Sequence, residues 1–517
     1  MNTGHICIAL CAKTADELVA QLRRAEPLAD IIEIRFDYLD ADQLDKARQA
    51  LAETKISKPL IATFRPPAQG GNGDITRDER LRFWRSLDES FAYADIEQDI
   101  IADLDLTAKV IASQHDFTAV PQNVAELYDQ LEASDPAIVK IAATARDICD
   151  AIPMWQLIDR PRTDGRQIIS LAMGESGKWT RILGPAHGAF LTYASLDSGK
   201  ETADGQVTAR DLIDVYRAKD LDGKTRVYGV IGDPVSSSLS PFMQNAAFTS
   251  AGLNSVFLPL QVKDLDAFMR RMVMPAAREV ELNFAGFSVT MPHKQAIREY
   301  LTEIDPVAAK IGAVNTVKIE GDRLTGYNTD AHGFITPLKK RMSDLKGARV
   351  AVLGAGGAAR AVVFALQQEA AEVTVFARDP KKAEPLADEF SITLAQPNSP
   401  PYEGGVADAA SAADGVVLSS ASKQFDIIVN ATPLGMHGPN EDKTLITAKD
   451  LLGVRFVYDL VTRRDDTPIL REAKTAGVDA ISGVEMLIAQ GIKQFEIWTG
   501  LEPPADVMRQ AVLDRLR

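Results

Sequence analysis

Short apolar runs recur along the first 216 residues: ICIAL, DIIEIR, PLIATFR, ADIEQ, KVIAS, AIVKIA, QIISLAM and AFLTYA. Between most of them lie segments such as TADELVAQLRRAE and PQNVAELYDQLEAS, whose apolar residues return every three or four positions, the spacing of a helix with one buried face. Brief buried strands alternating with such helices predict a parallel sheet. Eight units in one stretch predict a closed (β/α)8 barrel rather than an open doubly wound sheet. After the charged, turn-rich KDLDGKTR the pattern restarts with VYGVIG, which places a boundary near Asp222. The connection is short and not rich in glycine and serine, so it need not be a floppy tether. Further on, the apolar strand in ARVAVLGAGGAARAVVFALQ runs into Gly354, Gly356 and Gly357 and then an alanine-rich helix. The expected fold class is therefore α/β: an N-terminal (β/α)8 barrel over residues 1–221, then a two-lobed α/β unit with one lobe at 226–335 and a Rossmann lobe at 336–482.

A barrel gathers the C-terminal ends of its strands at one mouth. Glu33 and Arg35 end the second run, Arg65 the third and Glu97 the fourth; His115 follows the fifth, and Lys140 sits inside AIVKIA. Each has a bland reading, an arginine capping a strand or a solvated glutamate. Lys140 differs, because an ammonium within an apolar strand is costly without a partner or a lowered pKa. Alternation puts Ile138, Lys140 and Ala142 on one face. Such an amine is a candidate imine former; the alternative is a lysine snorkelling outward or paired with Glu33 or Glu97.

In the second part, glycines at 354, 356 and 357 permit a tight turn and leave free helix amides for a pyrophosphate. The next strand, EVTVF, ends in Ala377-Arg378-Asp379, with Lys382 one helical turn on. A basic pair there suits the 2′-phosphate of NADP, whereas Asp379 could bind ribose or cap the next helix. FDIIVNATPLGM reads as a further strand ending at Asn430-Ala431-Thr432, beside a nicotinamide. Earlier, Ser238, Ser240, Thr290, Lys294, Asn315 and Asp330 supply hydroxyl, amide, amine and carboxylate groups that suit a small polyhydroxylated acid. The serines read equally as a helix N-cap before Pro241.

Charge narrows the partners. With 57 lysines and arginines against 72 aspartates and glutamates, the net charge is −15, which argues against nucleic acid and anionic membranes. Three cysteines (Cys7, Cys11, Cys149) make no disulfide framework or metal-ligand spacing and fit a reducing compartment. The N-terminal run lacks a basic flank and no apolar stretch reaches membrane-spanning length, so a cytoplasmic protein is expected, without metal. Oligomeric state is not legible.

Across residues 1–216 the strings EIRFD, ATFR, SQHDF, VKIA, SGKWTRILG and DGQ resemble type I 3-dehydroquinate dehydratases. The resemblance implies an imine between Lys140 and the substrate ketone, proton transfer by His115 and orientation of that histidine by Glu97. It also implies that Arg181 meets the substrate carboxylate, with Glu33, Arg35, Arg65, Thr202 and Gln206 around the ring. Thr202 stands where the family has serine, and Ala9 where some relatives have serine. Residues 226–517 resemble shikimate dehydrogenases in SLSP, SVTMPHK, GAVNT, GYNTD, GAGGAAR, NATPLGM and GVEMLIAQ. That resemblance implies Lys294 and Asp330 as the catalytic pair, substrate binding by Ser238, Ser240, Thr290, Asn315 and Gln490, and NADP binding by Gly354, Ala355, Gly356, Gly357, Ala358, Arg378, Lys382, Thr432 and Gly483. It also implies that the helices of 483–517 return to the substrate lobe. Thr462 replaces the family tyrosine. Together the halves resemble the bifunctional dehydratase–shikimate dehydrogenases best known from plants. Two alternatives stand beside that expectation: a catabolic quinate or shikimate dehydrogenase, and a reductase with a catalytically silent barrel.

Overall fold

Eight parallel strands form at the eight apolar runs: β1 (His5–Leu10), β2 (Ile31–Arg35), β3 (Leu60–Thr63), β4 (Tyr93–Glu97), β5 (Lys109–Asp116), β6 (Ile138–Thr144), β7 (Gln167–Met173) and β8 (Leu191–Ser195). These elements come from a computed structural model that describes residues 4–73, 75–160, 166–395 and 425–516. The strands run in the order β7-β6-β5-β4-β3-β2-β1-β8, so each lies beside its sequence neighbours and the last returns to the first. Between β7 and β8 the wall is joined through the Phe190 N–H to the Ile168 carbonyl (2.8 Å). One buried cluster unites Cys7, Ile31, Ile61, Ile111, Ile138, Ile169 and Tyr193, with Tyr93 of β4 packed against it. Residues from all eight strands share one interior only when the sheet has curled shut, which is how a packed barrel core arises. A short ninth strand, Val207–Thr208, adds in parallel to β8, an extension the run pattern did not announce. The helix-like ARDLIDVYRA contains a five-residue π turn, Asp211–Val215.

The helices follow their local chemistry. Ala15–Ala25 begins behind Thr14, whose hydroxyl accepts the Glu17 N–H, and buries Leu18 and Leu22. Arg77–Arg85 starts with a capping box of Thr76 and Glu79 and buries Leu81, Phe83 and Trp84.

The chain divides into two compact units, 1–238 with 254–284 and 239–253 with 285–517. The barrel unit therefore continues beyond the turn at Asp222. Strand Ser255–Gln261 pairs in parallel with Arg226–Gly232 and packs on the barrel helix Lys178–Leu183. Arg217 donates to the Ser255 carbonyl (2.7 Å), and Asp147 of the barrel accepts the Lys263 N–H (2.8 Å). These bonds tie the connection down.

The second unit holds two sheets. Phe284–Val289, Thr316–Glu320 and Arg323–Tyr327 run antiparallel, and Glu303–Ile304 adds in parallel. The other sheet is wholly parallel, in the order Thr393–Ala395, Glu372–Phe376, Arg349–Leu353, Ile427–Asn430, Phe456–Asp459, Asp479–Ile481, with its first crossover through the helix Gly357–Gln368. The helix Gly483–Thr499 carries Gln494 and Trp498 back to the first of these sheets. Gln494 accepts the Ser288 hydroxyl (2.7 Å) and donates to Thr316 (3.0 Å); the Trp498 indole donates to the Val317 carbonyl (2.9 Å).

Candidate active sites

Two-residue alternation brings Asp95 and Glu97 from β4, Lys140 from β6 and Tyr193 from β8 into the barrel interior. Lys140 is 4% exposed. Its Nζ donates to Asp95 Oδ2 (2.5 Å) and to the Tyr193 hydroxyl (3.1 Å), and lies 4.3 Å from the Tyr193 ring centre. The partner expected among Glu33 and Glu97 is thus a third carboxylate. Glu33 accepts the Thr63 hydroxyl (2.7 Å) and Glu97 accepts from Arg80 (2.6 Å).

Arg65 organises the rest. Its Nη2 lies 2.7 Å from Asp95 Oδ1, an ion pair whose N–H is not aimed as a hydrogen bond, and its Nε lies 3.6 Å from Glu97. Its Nη1 faces the His115 ring, 2.8 Å from Nδ1. Among the described residues no hydrogen bond joins Glu97 to His115. The imidazole faces Arg65, and the His115 backbone N–H donates to Gln69 (2.8 Å). Phe117 stacks over the ring at 6.2 Å.

Burial sets the protonation states here. It lowers the Lys140 amine, with Asp95 pulling back, and holds His115 well below its ordinary value, with Arg65 adding to the effect. Burial would raise the Asp95 carboxyl, yet Arg65 and Lys140 keep it far below the usual carboxylate range. Glu97, more desolvated than compensated, is pushed up to about 7.

Arg35 is clamped by Asp37 through two bonds (2.9 and 2.7 Å). Arg181 is buried in the helix Lys178–Leu183; its Nε has no hydrogen-bond partner, and desolvation brings its pKa down to about 10. It forms no ion pair among the described residues, which leaves a guanidinium ready for an incoming anion. In the loop after β8 the Gln206 side chain accepts the Thr202 N–H (2.8 Å).

In the second unit Lys294 donates to Asp330 Oδ2 (2.5 Å), while Asn315 donates to Asp330 Oδ1 (2.7 Å) and to the Thr329 hydroxyl (3.0 Å). Gln490, from the returning helix, lies 3.5 Å from Asn315 and 3.4 Å from Thr329. Four of the expected residues thus share one network, and Thr329 is an added member. Thr290, half-buried after Phe284–Val289, accepts the His293 N–H at its carbonyl (2.9 Å). Ser240 is the first residue of the helix Ser240–Ser250, whose cap position is Leu239. Ser238 belongs to the other unit, where its N–H donates to the Val235 carbonyl (3.0 Å).

The nucleotide turn lies against this network. Gly354 has φ +105°, and a Cβ there would meet the Ala431 carbonyl at 2.8 Å. Gly356 faces open space before the helix Gly357–Gln368, with Ala355 and Ala358 beside it, and a Cβ on Gly357 would lie 3.4 Å from Lys294 Cδ. Small residues and a free helix start fit a pyrophosphate, and the turn abuts Lys294. Arg378 is exposed and has no ion-pair partner among the described residues; the Lys382 side chain lies outside the described residues. Asp379 stands at the cap of the helix Pro380–Phe390. Thr432 is set by its own turn, donating to Asn430 (2.6 Å). Gly483 is pressed on the Leu460 and Val461 carbonyls, 2.5 Å from where a Cβ would be.

Sequence reasoning missed Asp95, Arg80, Gln69, Tyr193 and Thr329. For Asp95 a signal existed: it stands two residues before Glu97 and so shares its face.

The architecture is that of a carbon–oxygen lyase barrel joined to a pyridine-nucleotide reductase. Family models match in that order: type I 3-dehydroquinase over residues 6–222, shikimate dehydrogenase substrate binding domain over 230–317, shikimate / quinate 5-dehydrogenase over 337–446 and shikimate 5'-dehydrogenase C-terminal domain over 483–513. The chain is 33% identical, over 98% of its length and 84% of the relative, to the chloroplastic bifunctional 3-dehydroquinate dehydratase/shikimate dehydrogenase of Arabidopsis thaliana. It is 42% identical to the NADP(+) shikimate dehydrogenase of Methanopyrus kandleri, covering 57% of this chain and 98% of the relative. A solved shikimate dehydrogenase in complex with NADP+ aligns with 57% of this chain and 98% of its own at TM-score 0.50 and 36% identity. This chain belongs to the bifunctional 3-dehydroquinate dehydratase/shikimate dehydrogenase family.

Proposed function

We propose that the barrel dehydrates 3-dehydroquinate to 3-dehydroshikimate through an imine on Lys140, and that the second unit reduces 3-dehydroshikimate to shikimate with NADPH. The observation that carries the reading is the Lys140 amine, enclosed in the barrel and held by Asp95 and Tyr193. An amine depressed by burial has more of its nucleophilic form available near neutrality. Once condensed, a protonated imine draws in the charge that develops as the neighbouring C–H is broken. His115, kept neutral by burial and by Arg65, accepts that proton and returns one to the departing hydroxyl. Arg181 takes the substrate carboxylate, with Glu33, Arg35, Arg65, Thr202 and Gln206 around the ring.

In the second unit bound NADPH supplies the hydride. Lys294, aimed by Asp330, meets the ketone oxygen and stabilises it as it becomes an alcohol. Asn315, Gln490, Thr290 and Ser240 hold the acid's ring and carboxylate. Gly354, Ala355, Gly356, Gly357, Ala358, Thr432 and Gly483 receive the dinucleotide, and Arg378 with Lys382 selects its 2′-phosphate, which disfavours an NAD-linked catabolic oxidation. By chemistry the chain divides into 1–221, 226–335, 336–482 and 483–517. Three free cysteines suit a reducing, cytoplasmic setting. Among the described residues no helix is long and apolar enough to cross a membrane.

Borohydride added during turnover of 3-dehydroquinate tests the first half. The peptide containing Lys140 is expected to gain the reduced adduct; an unmodified peptide under turnover contradicts the imine.

A further inference from the structure

We infer that Asp95 is the fixed counter-ion of the dehydratase reaction, facing in turn the Lys140 ammonium, the iminium formed from it and the imidazolium of His115. This rests on the imine reading above and adds a catalytic residue to it.

Asp95 is wholly buried, so water does not screen its charge. It meets both charged partners at once, Oδ2 at 2.5 Å from Lys140 Nζ and Oδ1 at 2.7 Å from Arg65. Arg65 in turn faces the His115 ring, which puts the imidazole one guanidinium away from the carboxylate. The other nearby carboxylates are engaged elsewhere, Glu33 by Thr63 and Glu97 by Arg80.

The charge balance follows from the chemistry. Counted from the resting ammonium to the iminium, with one proton passed on first to free the attacking lone pair, condensation with a ketone releases water that carries away the ketone oxygen and two of the three ammonium protons. One proton stays on nitrogen, so the iminium keeps a single positive charge and one N–H. That N–H retains the bond to Asp95 Oδ2, and the buried pair passes through condensation with no change of net charge. When His115 removes the adjacent proton, the nitrogen becomes a neutral enamine and the charge moves to the imidazolium, beside Arg65. Two adjacent buried cations are costly, and Asp95 is the anion that offsets them. Tyr193 cannot replace it, since a neutral phenol carries no charge.

The experiment compares Asp95→Asn and Asp95→Glu in the full chain, with Lys140→Ala as the control for the imine itself. Borohydride trapping, kcat and KM for 3-dehydroquinate are measured across pH. Asp95→Asn is expected to lower kcat and the trapped fraction by about 100-fold, as unpairing a buried charge does. Its trapping should fall away at lower pH than in the wild type, because the iminium gives up its proton more readily. KM should change less than kcat. Asp95→Glu keeps the charge and should retain trapping at neutral pH. Wild-type trapping, which needs no variant to fold, should stay level from neutral into the alkaline range. Trapping and kcat in Asp95→Asn close to wild type, Asp95→Glu as inactive as Asp95→Asn, or wild-type trapping that declines through neutrality would each overturn the counter-ion role. A wild-type chain that never traps removes the imine reading itself, a separate result.

Discussion

Lys140 shows how surroundings set the state of a side chain. Burial lowers its amine, a carboxylate and a phenol aim it, and His115 is left neutral on the same barrel face. Replacing Lys140 with alanine should abolish dehydration, a loss of at least about 1,000-fold by the scale of removing a covalent catalyst, while shikimate oxidation continues; a spectrophotometric assay of each activity checks this. Glu97 carries a pH signature. Its carboxyl is raised from 4.5 to about 7 by burial, so the native barrel binds more protons than the unfolded chain between those values. That contribution to stability is fully present below about pH 4.5 and is lost as pH rises through about 7. Melting curves of Glu97→Gln should lack this decline, and an unchanged pH dependence would contradict the assignment. Lys140 was legible in the sequence because a charge inside an apolar strand demands an explanation. Asp95 was masked by its neighbour, since ADIEQ offers two carboxylates and only packing decides which one meets the amine. Arg80 was hidden in the charge-dense helix RDERLRFWR, and Gln69 is a neutral amide in the three-residue 3-10 turn Pro67–Gln69.

Elements were legible where local chemistry and burial agree. Each of the eight runs became a strand because an interior lined by every strand rewards uniform apolarity. The added strand Val207–Thr208 is two residues long, too short to leave a periodic pattern. The nucleotide turn was legible because its glycines answer a steric demand. Gly354→Ala would place a Cβ 2.8 Å from the Ala431 carbonyl at φ +105°. It should destabilise the Rossmann lobe by more than about 1 kcal/mol and raise KM for NADP+, read by thermal melting and initial rates. Arg378→Ala should raise KM for NADP+ about 10- to 100-fold, the worth of one charge-assisted contact, and leave NAD+ turnover nearly unchanged. Equal loss with both cofactors would show that the residue does not read the 2′-phosphate. The returning helix Gly483–Thr499 was placed by resemblance alone; its structural reason is the polar contact of Gln494 with Ser288 and Thr316.

At the scale of the whole molecule, one chain presents two lysine amines, each held by an aspartate, in two chemically different settings. Lys140 sits inside a barrel, where an imine is shielded from water. Lys294 sits beside a glycine-rich turn, where a hydride donor can approach. The order of the units along the chain matches the order of the reactions, since the product of the first is the ketone the second reduces. The two sites therefore fail independently: Lys140→Ala should stop consumption of 3-dehydroquinate only, and Asp330→Ala should stop reduction of 3-dehydroshikimate only. The most direct test supplies 3-dehydroquinate and NADPH to the purified chain and follows cofactor oxidation. NADPH should be consumed with shikimate as product, and either variant should abolish the signal. Oxidation of NADPH with 3-dehydroshikimate but never with 3-dehydroquinate would contradict the account.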